Sequence, residues 1–501
     1  MHFNLKIKMP KRKLRCEMGL MNTLQDNVEG RTCDHCSAGA FNYPECETCP
    51  CDLRGTTEDI CDQTTAACLC KPNVEGDACD ACQQGKFNLQ SSNPDGCSDC
   101  FCFGKTEYCK SHDSLKRTYI SAMENWGLTA LRIEKSVTEE KLQNEQSLPN
   151  YGGELAVYLT DYGDQNYSQV SAYFSAPEEF RRNQINSYGG SLTYMVTYSG
   201  YELDAAPLHP DVLLMGAGGK SLLYHSGMRI APNEQTNVTA VLEPYYWVQP
   251  SGAPAERKDL MVVLNNLEGV FLRASYGTDY DGQVRLSGVV MDSAEEFSNA
   301  SAVADDEFVR SVELCECPPG YHGNSCEDCS VGYWKERMGP LGPICAACNC
   351  NGHAATCHPL TGECVTMRPV DPEDGDDDGV PEADELANDR VTEFCHFRPD
   401  LCEVVAEAEH CSHNTTGDQC ELCAEGYYGD ATAGEEDDCR ACPCPLPVPD
   451  NNFAVSCDGL VAQTPPTDGI CVCKENYVGD RCQHCGAGYY GEPETPGELA
   501  N

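Results

Sequence analysis

The sequence predicts a mostly β and irregular chain: serial, disulfide-rich modules with one antiparallel β-sandwich inserted among them. Three observations predict it. The 501 residues hold 37 cysteines, far more than a reducing compartment supports as structural bridges, so the chain is expected outside the cell. The cysteines recur at fixed spacings, the mark of a repeated unit. One long stretch, Lys110 to Leu314, contains none and needs another source of stability.

The formal net charge of −46 opposes nucleic acid and anionic membrane surfaces, both of which select clusters of Lys and Arg. No run approaches the roughly 20 apolar residues of a membrane helix, so no membrane span is expected. The opening "MHFNLKIKMPKRKLRC" has the basic residues of a secretory leader without its apolar run. Residues 1–15 are therefore expected to be a non-native or unstructured start, and the chain a fragment.

The repeat is plainest in residues 49–97, with Cys49, Cys51, Cys61, Cys68, Cys70, Cys79, Cys82 and Cys97. Its second half reads C-x-C, eight residues, C-x-x-C, then Gly and an aromatic. That pattern returns in "CECPPGYHGNSCEDCSVGYW" and "CVCKENYVGDRCQHCGAGYY", and in "CSHNTTGDQCELCAEGYYGD" without the first cysteine. A C-x-x-C pair can be half a zinc site or a redox motif. Short cysteine-dense units in an oxidising compartment are more simply stapled by disulfides. Each unit is too small and too polar to build a core, so cross-links worth roughly 2 to 4 kcal/mol each replace it.

The eight-cysteine unit resembles the laminin-type EGF-like module, over about 300 residues of this chain. The resemblance implies a first-to-third, second-to-fourth, fifth-to-sixth and seventh-to-eighth pairing. In the first complete module that gives Cys49–Cys61, Cys51–Cys68, Cys70–Cys79 and Cys82–Cys97. In the second it gives Cys100–Cys109, Cys102–Cys315, Cys317–Cys326 and Cys329–Cys345, and in the third Cys348–Cys357, Cys350–Cys364, Cys411–Cys420 and Cys423–Cys439. The last module has Cys442–Cys457, Cys444–Cys471 and Cys473–Cys482, with Cys485 left single because the chain stops before an eighth cysteine. At the other end Cys36–Cys46 fits, whereas Cys16 lies 17 residues before Cys33 where the pattern wants nine, and their pairing stays open.

The third and fourth cysteines of the second module, Cys109 and Cys315, are 206 positions apart, so a domain is inserted into that module. Strand-like runs fill the gap: "ELAVYLT", "SLTYMVTY", "DLMVVL", "VFLRAS" and "QVRLSGVVM", rich in β-branched and aromatic residues and partly alternating. They predict an antiparallel sandwich with a core of its own. "YFSAPEEFRRNQINSYGGSLTYMVTY" is similar to the signature region of the laminin IV type A domain, which interrupts a laminin EGF-like module at this same point. Laminin α chains, some laminin γ chains and perlecan-type proteoglycans share this arrangement, and "CFCFGKTEYC", "CNCNGHAATCHPLTGEC" and "CELCAEGYYGDATAGEEDDCRACPCPL" look most like perlecan-type basement-membrane heparan sulfate proteoglycans, with laminin α chain short arms as the alternative. The expected organisation is 16–48 partial module, 49–99 module, 100–117 first part of a split module and 118–313 sandwich. It continues with 314–347 second part, 348–441 module with an insertion at 365–410, and 442–501 truncated module.

Other motifs carry little chemistry. "GAGGKS", residues 216–221, falls short of a phosphate-binding loop because Leu214 stands where the first Gly belongs, and reads as a glycine-rich turn between strands. Neither G-x-S-x-G nor H-E-x-x-H occurs, and no enzymatic activity is expected. Sequons at Asn166, Asn237, Asn299 and Asn414 mark N-glycosylation positions on a secreted surface. Ser199 is the nearest glycosaminoglycan attachment candidate, Arg-Gly-Asp is absent, and so is the Asn-x-Asp-x-Asn-x-Val nidogen-binding loop of one laminin γ module.

The insertion, Val365 to His410, has eight Asp, seven Glu and three Arg, a net −12. Such a run reads first as a solvated spacer. Inside it "DGDDDGVPEADE" also meets the calcium-loop template D-x-[DN]-x-[DN]-G-x5-E, with Asp374, Asp376 and Asp378, the Val380 carbonyl, Glu382 and Glu385 as ligands. "MRPVDPE" opposes a preceding helix, "PEADELANDRVTEF" suits a following one, and Cys395–Cys402 would pin the base. Calcium is the one ion implied, and no cofactor is required. The expected role is a rod-like extracellular-matrix scaffold of the basement membrane, with matrix proteins, growth factors or cell-surface receptors as partners. A ligand-presenting or cell-adhesion module of a laminin α chain short arm, modulated by calcium, is the alternative.

Overall fold

The computed structural model describes residues 27–30, 34–134, 136–140, 148, 150–158, 170–199, 209–276, 283–297, 308–354, 356–369, 388–399, 402–404, 411–458 and 470–496. The chain divides into two compact units, Met1–Cys317 and Pro318–Asn501. In both, the modules are successions of two-stranded antiparallel hairpins, for example Val74–Glu75 with Ala81–Cys82 in the first unit and Tyr477–Val478 with His484–Cys485 in the second. Four equivalent turns explain the recurrence of glycine. Gly76, Gly323, Gly417 and Gly479 all have φ between 93° and 101°, and the cysteines three residues on, Cys79, Cys326, Cys420 and Cys482, have φ between 54° and 59°. The first position costs only glycine nothing; at the second, a disulfide holds a residue type that rarely adopts that backbone.

The cysteine-free stretch forms the expected sandwich. Its strands are β1 (Leu115–Ile120), β2 (Gly127–Ile133), β3 (Val137–Glu140), β4 (Glu154–Tyr158), β5 (Val170–Ser175), β6 (Ser191–Tyr198) and β7 (Val212–Gly216), then β8 (Ser221–Tyr224), β9 (Thr236–Val241) and β10 (Trp247–Val248). Helix α1 (Arg257–Asn265) follows, then β11 (Leu267–Arg273) and β12 (Gln283–Glu296). A five-stranded sheet runs β1-β12-β6-β9 with β4 also on β12, and a seven-stranded sheet runs β3-β2-β5-β11-β7-β8-β10. The pairings are antiparallel.

The alternation in β6 shows how the sequence builds this. Leu192, Tyr194, Val196 and Tyr198 are buried while Ser191, Thr193, Met195 and Thr197 are half-buried, because period-two side chains face core and surface in turn. β7 and β11 are instead buried almost throughout. Leu214 and Leu272 join the inter-sheet core with Trp126, Phe174 and Trp247, while Leu213 and Phe271 join a second apolar cluster with Tyr173. These inner strands of the wider sheet have apolar neighbours on both faces.

Two expectations are corrected. "DLMVVL" is not a strand but the body of α1. Glu256 and Asp259 form a reciprocal capping box, and Leu260, Met261, Val263 and Leu264 bury one helical face. The helix closes against β7 and β8, and a Cβ on Gly216 would come within 2.9 Å of Val263 Cα, so the backbone approach needs glycine. The sandwich also begins at Leu115 rather than residue 118: β1 pairs Leu115 with Glu296, and Leu115 packs with Ala294, Val309 and Val312.

Candidate functional site

The chain leaves the split module and re-enters it at a two-strand ladder, Cys109–Ser111 with Glu313–Cys315. The Cys102–Cys315 disulfide closes it, joining residues 213 apart at a Cα separation of 5.8 Å. Beside it lies Glu313, whose side chain is fully buried. One carboxylate oxygen accepts from the Phe101 NH at 2.7 Å and the other from the Cys102 NH at 3.0 Å. Arg257, the first residue of α1, places Nη2 3.0 Å from Oε2. Its guanidinium lies over Phe87 at 4.5 Å and near Tyr188 at 5.2 Å, and it donates to the Asp99 carbonyl. One ion pair, its carboxylate fully buried, thus ties together the preceding module, the first half of the split module and the sandwich. Burial pushes the Tyr188 hydroxyl above its ordinary pKa, with Arg257 opposing.

Sequence reasoning missed both members of this pair. Their partners are 56 to 212 positions away along the chain, and no local spacing announces such a contact.

The sulfurs pair as Cys36–Cys46, Cys49–Cys61, Cys51–Cys68, Cys70–Cys79, Cys82–Cys97, Cys100–Cys109 and Cys102–Cys315 in the first unit. In the second they pair as Cys329–Cys345, Cys348–Cys357, Cys350–Cys364, Cys395–Cys402, Cys411–Cys420, Cys423–Cys439, Cys442–Cys457, Cys444–Cys471 and Cys473–Cys482. Cys317 and Cys326 are each disulfide-bonded, and Cys485 carries a free thiol. Cys16 and Cys33 lie outside the described residues. The sulfurs of Cys442, Cys444 and Cys457 cluster within 4.8 Å, but as disulfides they are not thiolate ligands.

Residues 216–221 form a tight turn between β7 and β8, with Gly218 and Gly219 at φ 70° and 74°. Asn237 is exposed on β9, an edge strand, and Asn414 is exposed in a turn; Asn166 and Asn299 lie outside the described residues. The Ser199 hydroxyl accepts from the Gln283 NH at 2.9 Å and extends the sheet. Asp374, Asp376, Asp378, Val380, Glu382 and Glu385 all lie outside the described residues. What frames them is described: Met367–Pro369 pairs with Cys402–Val404, and α2 (Asn388–Phe397) leads to Cys395–Cys402.

That helix is docked within the second unit. His396 lies with Nε2 2.8 Å from the Cys329 carbonyl, and Phe397 stacks on His322 at 4.9 Å. Burial pulls His396 below the usual histidine range and lifts the Asp328 carboxyl above its own. Among the described residues no helix is long and apolar enough to cross a membrane.

Family models match in the same order. The laminin EGF domain covers residues 23–48, 49–97, 306–342 and 442–498; laminin B (domain IV) covers 173–307; the laminin/attractin EGF domain covers 394–439. The chain is 37% identical over 490 residues to a laminin subunit alpha of Drosophila melanogaster, and 33% over 474 residues to human laminin subunit alpha-3. It is 29% identical over 449 residues to the basement membrane-specific heparan sulfate proteoglycan core protein of Mus musculus. These alignments cover 95%, 94% and 90% of this chain but only 11%, 12% and 10% of those proteins. Among solved structures, the L4b domain of human laminin alpha-2 aligns at 20% identity and a TM-score of 0.30, over 36% of this chain and 99% of that one.

Replacing Glu313 by Gln leaves the half-buried Arg257 guanidinium without its counter-ion and is expected to cost about 3 kcal/mol of stability in the first unit. Denaturant titrations of Glu313→Gln, Arg257→Met and the double variant check it. The double variant should recover part of the loss, since the two effects are coupled; strict additivity would place the stabilisation elsewhere.

Proposed function

We propose that this chain, built of laminin EGF modules around an inserted laminin domain IV, is a structural segment of an extracellular-matrix scaffold of the basement membrane. The observation that carries the reading is the division between disulfide-stapled modules and one domain with a large apolar core. Stapled units in series hold spacing without depending on core size, and the sandwich adds a broad, ordered surface. Matrix proteins are the partners this reading implies. The chain's homologues, laminin α chains and the basement-membrane proteoglycan core protein, support it.

A second reading, ligand presentation by the sandwich, is favoured by one feature. Tyr245 is 89% exposed and meets Tyr246 edge to face at 5.4 Å, and tyrosines standing out of a rigid surface are typical anchors for a protein partner. Retention of the tagged, secreted chain on cell-free basement-membrane matrix tests the first reading: saturable retention is expected, and loss of all chain on washing contradicts it. Tyr245→Ser/Tyr246→Ser separates the two, because a scaffold contact spread over the modules keeps its retention while a sandwich-borne ligand site loses it.

Calcium is part of the proposal, at Asp374, Asp376, Asp378, Val380, Glu382 and Glu385. Extracellular loops of this chemistry bind with Kd on the order of 0.1 to 1 mM. Calorimetric titration of the intact chain is expected to show one such site that Asp376→Asn/Asp378→Asn removes; an unchanged titration would contradict it.

A further inference from the structure

Two histidines of the third complete module face each other across its disulfide frame, and neither the module junction nor the acidic insertion uses them. His353 is only 1% exposed, and its Nδ1 lies 3.0 Å from Nδ1 of His413, with the ring planes at 74°. On the far side of the His353 ring, Nε2 is 2.9 Å from the Ala431 carbonyl and 3.6 Å from the Asp438 carboxylate. Carbonyl and carboxylate oxygens only accept, so Nε2 carries the proton and Nδ1 presents a lone pair to His413. The outer nitrogen is thus held by a backbone carbonyl with a carboxylate behind it, and the inner nitrogen is free to ligate. Metal-binding imidazoles are held in this way.

The facing nitrogens can share a proton or a metal ion. Two Zn–N bonds of ~2.0–2.1 Å at a tetrahedral angle place the nitrogens roughly 3.4 Å apart, a few tenths of an ångström wider than here. The Ser412 hydroxyl donates to the His353 carbonyl at 2.6 Å and lies 3.3 Å from His413 Nδ1, so its oxygen stands beside the pair with lone pairs left to ligate. His413 is half-buried, which leaves one side open for water as a further ligand. The contributing loops are already fixed. The His353 NH donates to Cys350 O at 2.8 Å and the Ser412 NH to His353 O at 2.8 Å, while Cys350–Cys364, Cys411–Cys420 and Cys423–Cys439 staple the adjoining backbone.

We propose that His353 and His413 form a binding site for a divalent transition cation such as Zn²⁺, with Ser412 and water completing the shell and Asp438 as a positioning residue. Two imidazoles suit zinc-like ions and not calcium, which takes oxygen ligands, so this site is separate from the acidic loop. It does not depend on the scaffold reading.

The test is titration of the chelator-treated, intact chain with ZnCl₂ by calorimetry, with X-ray absorption of the zinc-loaded chain. Saturable uptake is expected, with two imidazoles in the first shell. His413→Gln is expected to weaken it at least about tenfold, and Asp438→Asn by about tenfold through the loss of its hold on His353. The proposal is overturned if zinc is not taken up below roughly 1 mM, the range of weak extracellular metal sites. Equal affinity of the wild type and His413→Gln overturns it as well. So does a shell of oxygen or sulfur alone, a result that needs no variant to fold.

Discussion

A carboxylate with no access to water sits where one domain has been threaded through another. Glu313 takes two backbone NH groups from residues 101 and 102 and the Arg257 guanidinium from the start of α1. Inserting some 200 residues into a small stapled unit requires that the unit close around the insertion, and that closure depends on this contact and on Cys102–Cys315. The disulfide alone fixes a distance. The carboxylate also fixes orientation, because its two oxygens and the planar guanidinium admit few mutual arrangements.

The rest of the structure follows from how each segment meets the entropy of ordering its chain. A module has a few buried side chains apart from its cysteines, as in the cluster of Val74, Cys79 and Cys97, and is held by cross-links that restrict the unfolded state. The sandwich buries Trp126, Phe174, Tyr194, Trp247 and Leu286 completely and needs no internal disulfide. The strongly acidic surface carries no comparable weight, since exposed pairs such as Lys116 with Glu295 are screened and contribute little.

Much of this was legible in the sequence because cysteine spacing and strand alternation are local. The sandwich announced itself through the missing cysteines and through β6, whose burial repeats every second residue. "DLMVVL" misled because six consecutive, mostly apolar residues fit a buried strand as well as a helix; the signal that decides it is the Glu256 and Asp259 pair around the first turn. Glu313, Arg257, His353 and His413 were not legible as sites. Each acquires its role from a partner brought near by a disulfide or a sheet, and a single sequence records no such proximity. The acidic insertion was legible in composition and frame, through Cys395 and Cys402, but not in the docking of α2 through His396 and Phe397.

The sandwich stands on its apolar core while the modules stand on their disulfides. Hydrogen exchange of the intact chain, followed by mass spectrometry with and without a thiol reductant, tests this most directly. Under reduction the amides of β6, β11 and β12 are expected to stay protected while those of the module hairpins, such as Val74–Glu75 with Ala81–Cys82, exchange at the rate of open chain. Loss of protection in sandwich and modules together, or its retention in the reduced modules, would contradict it.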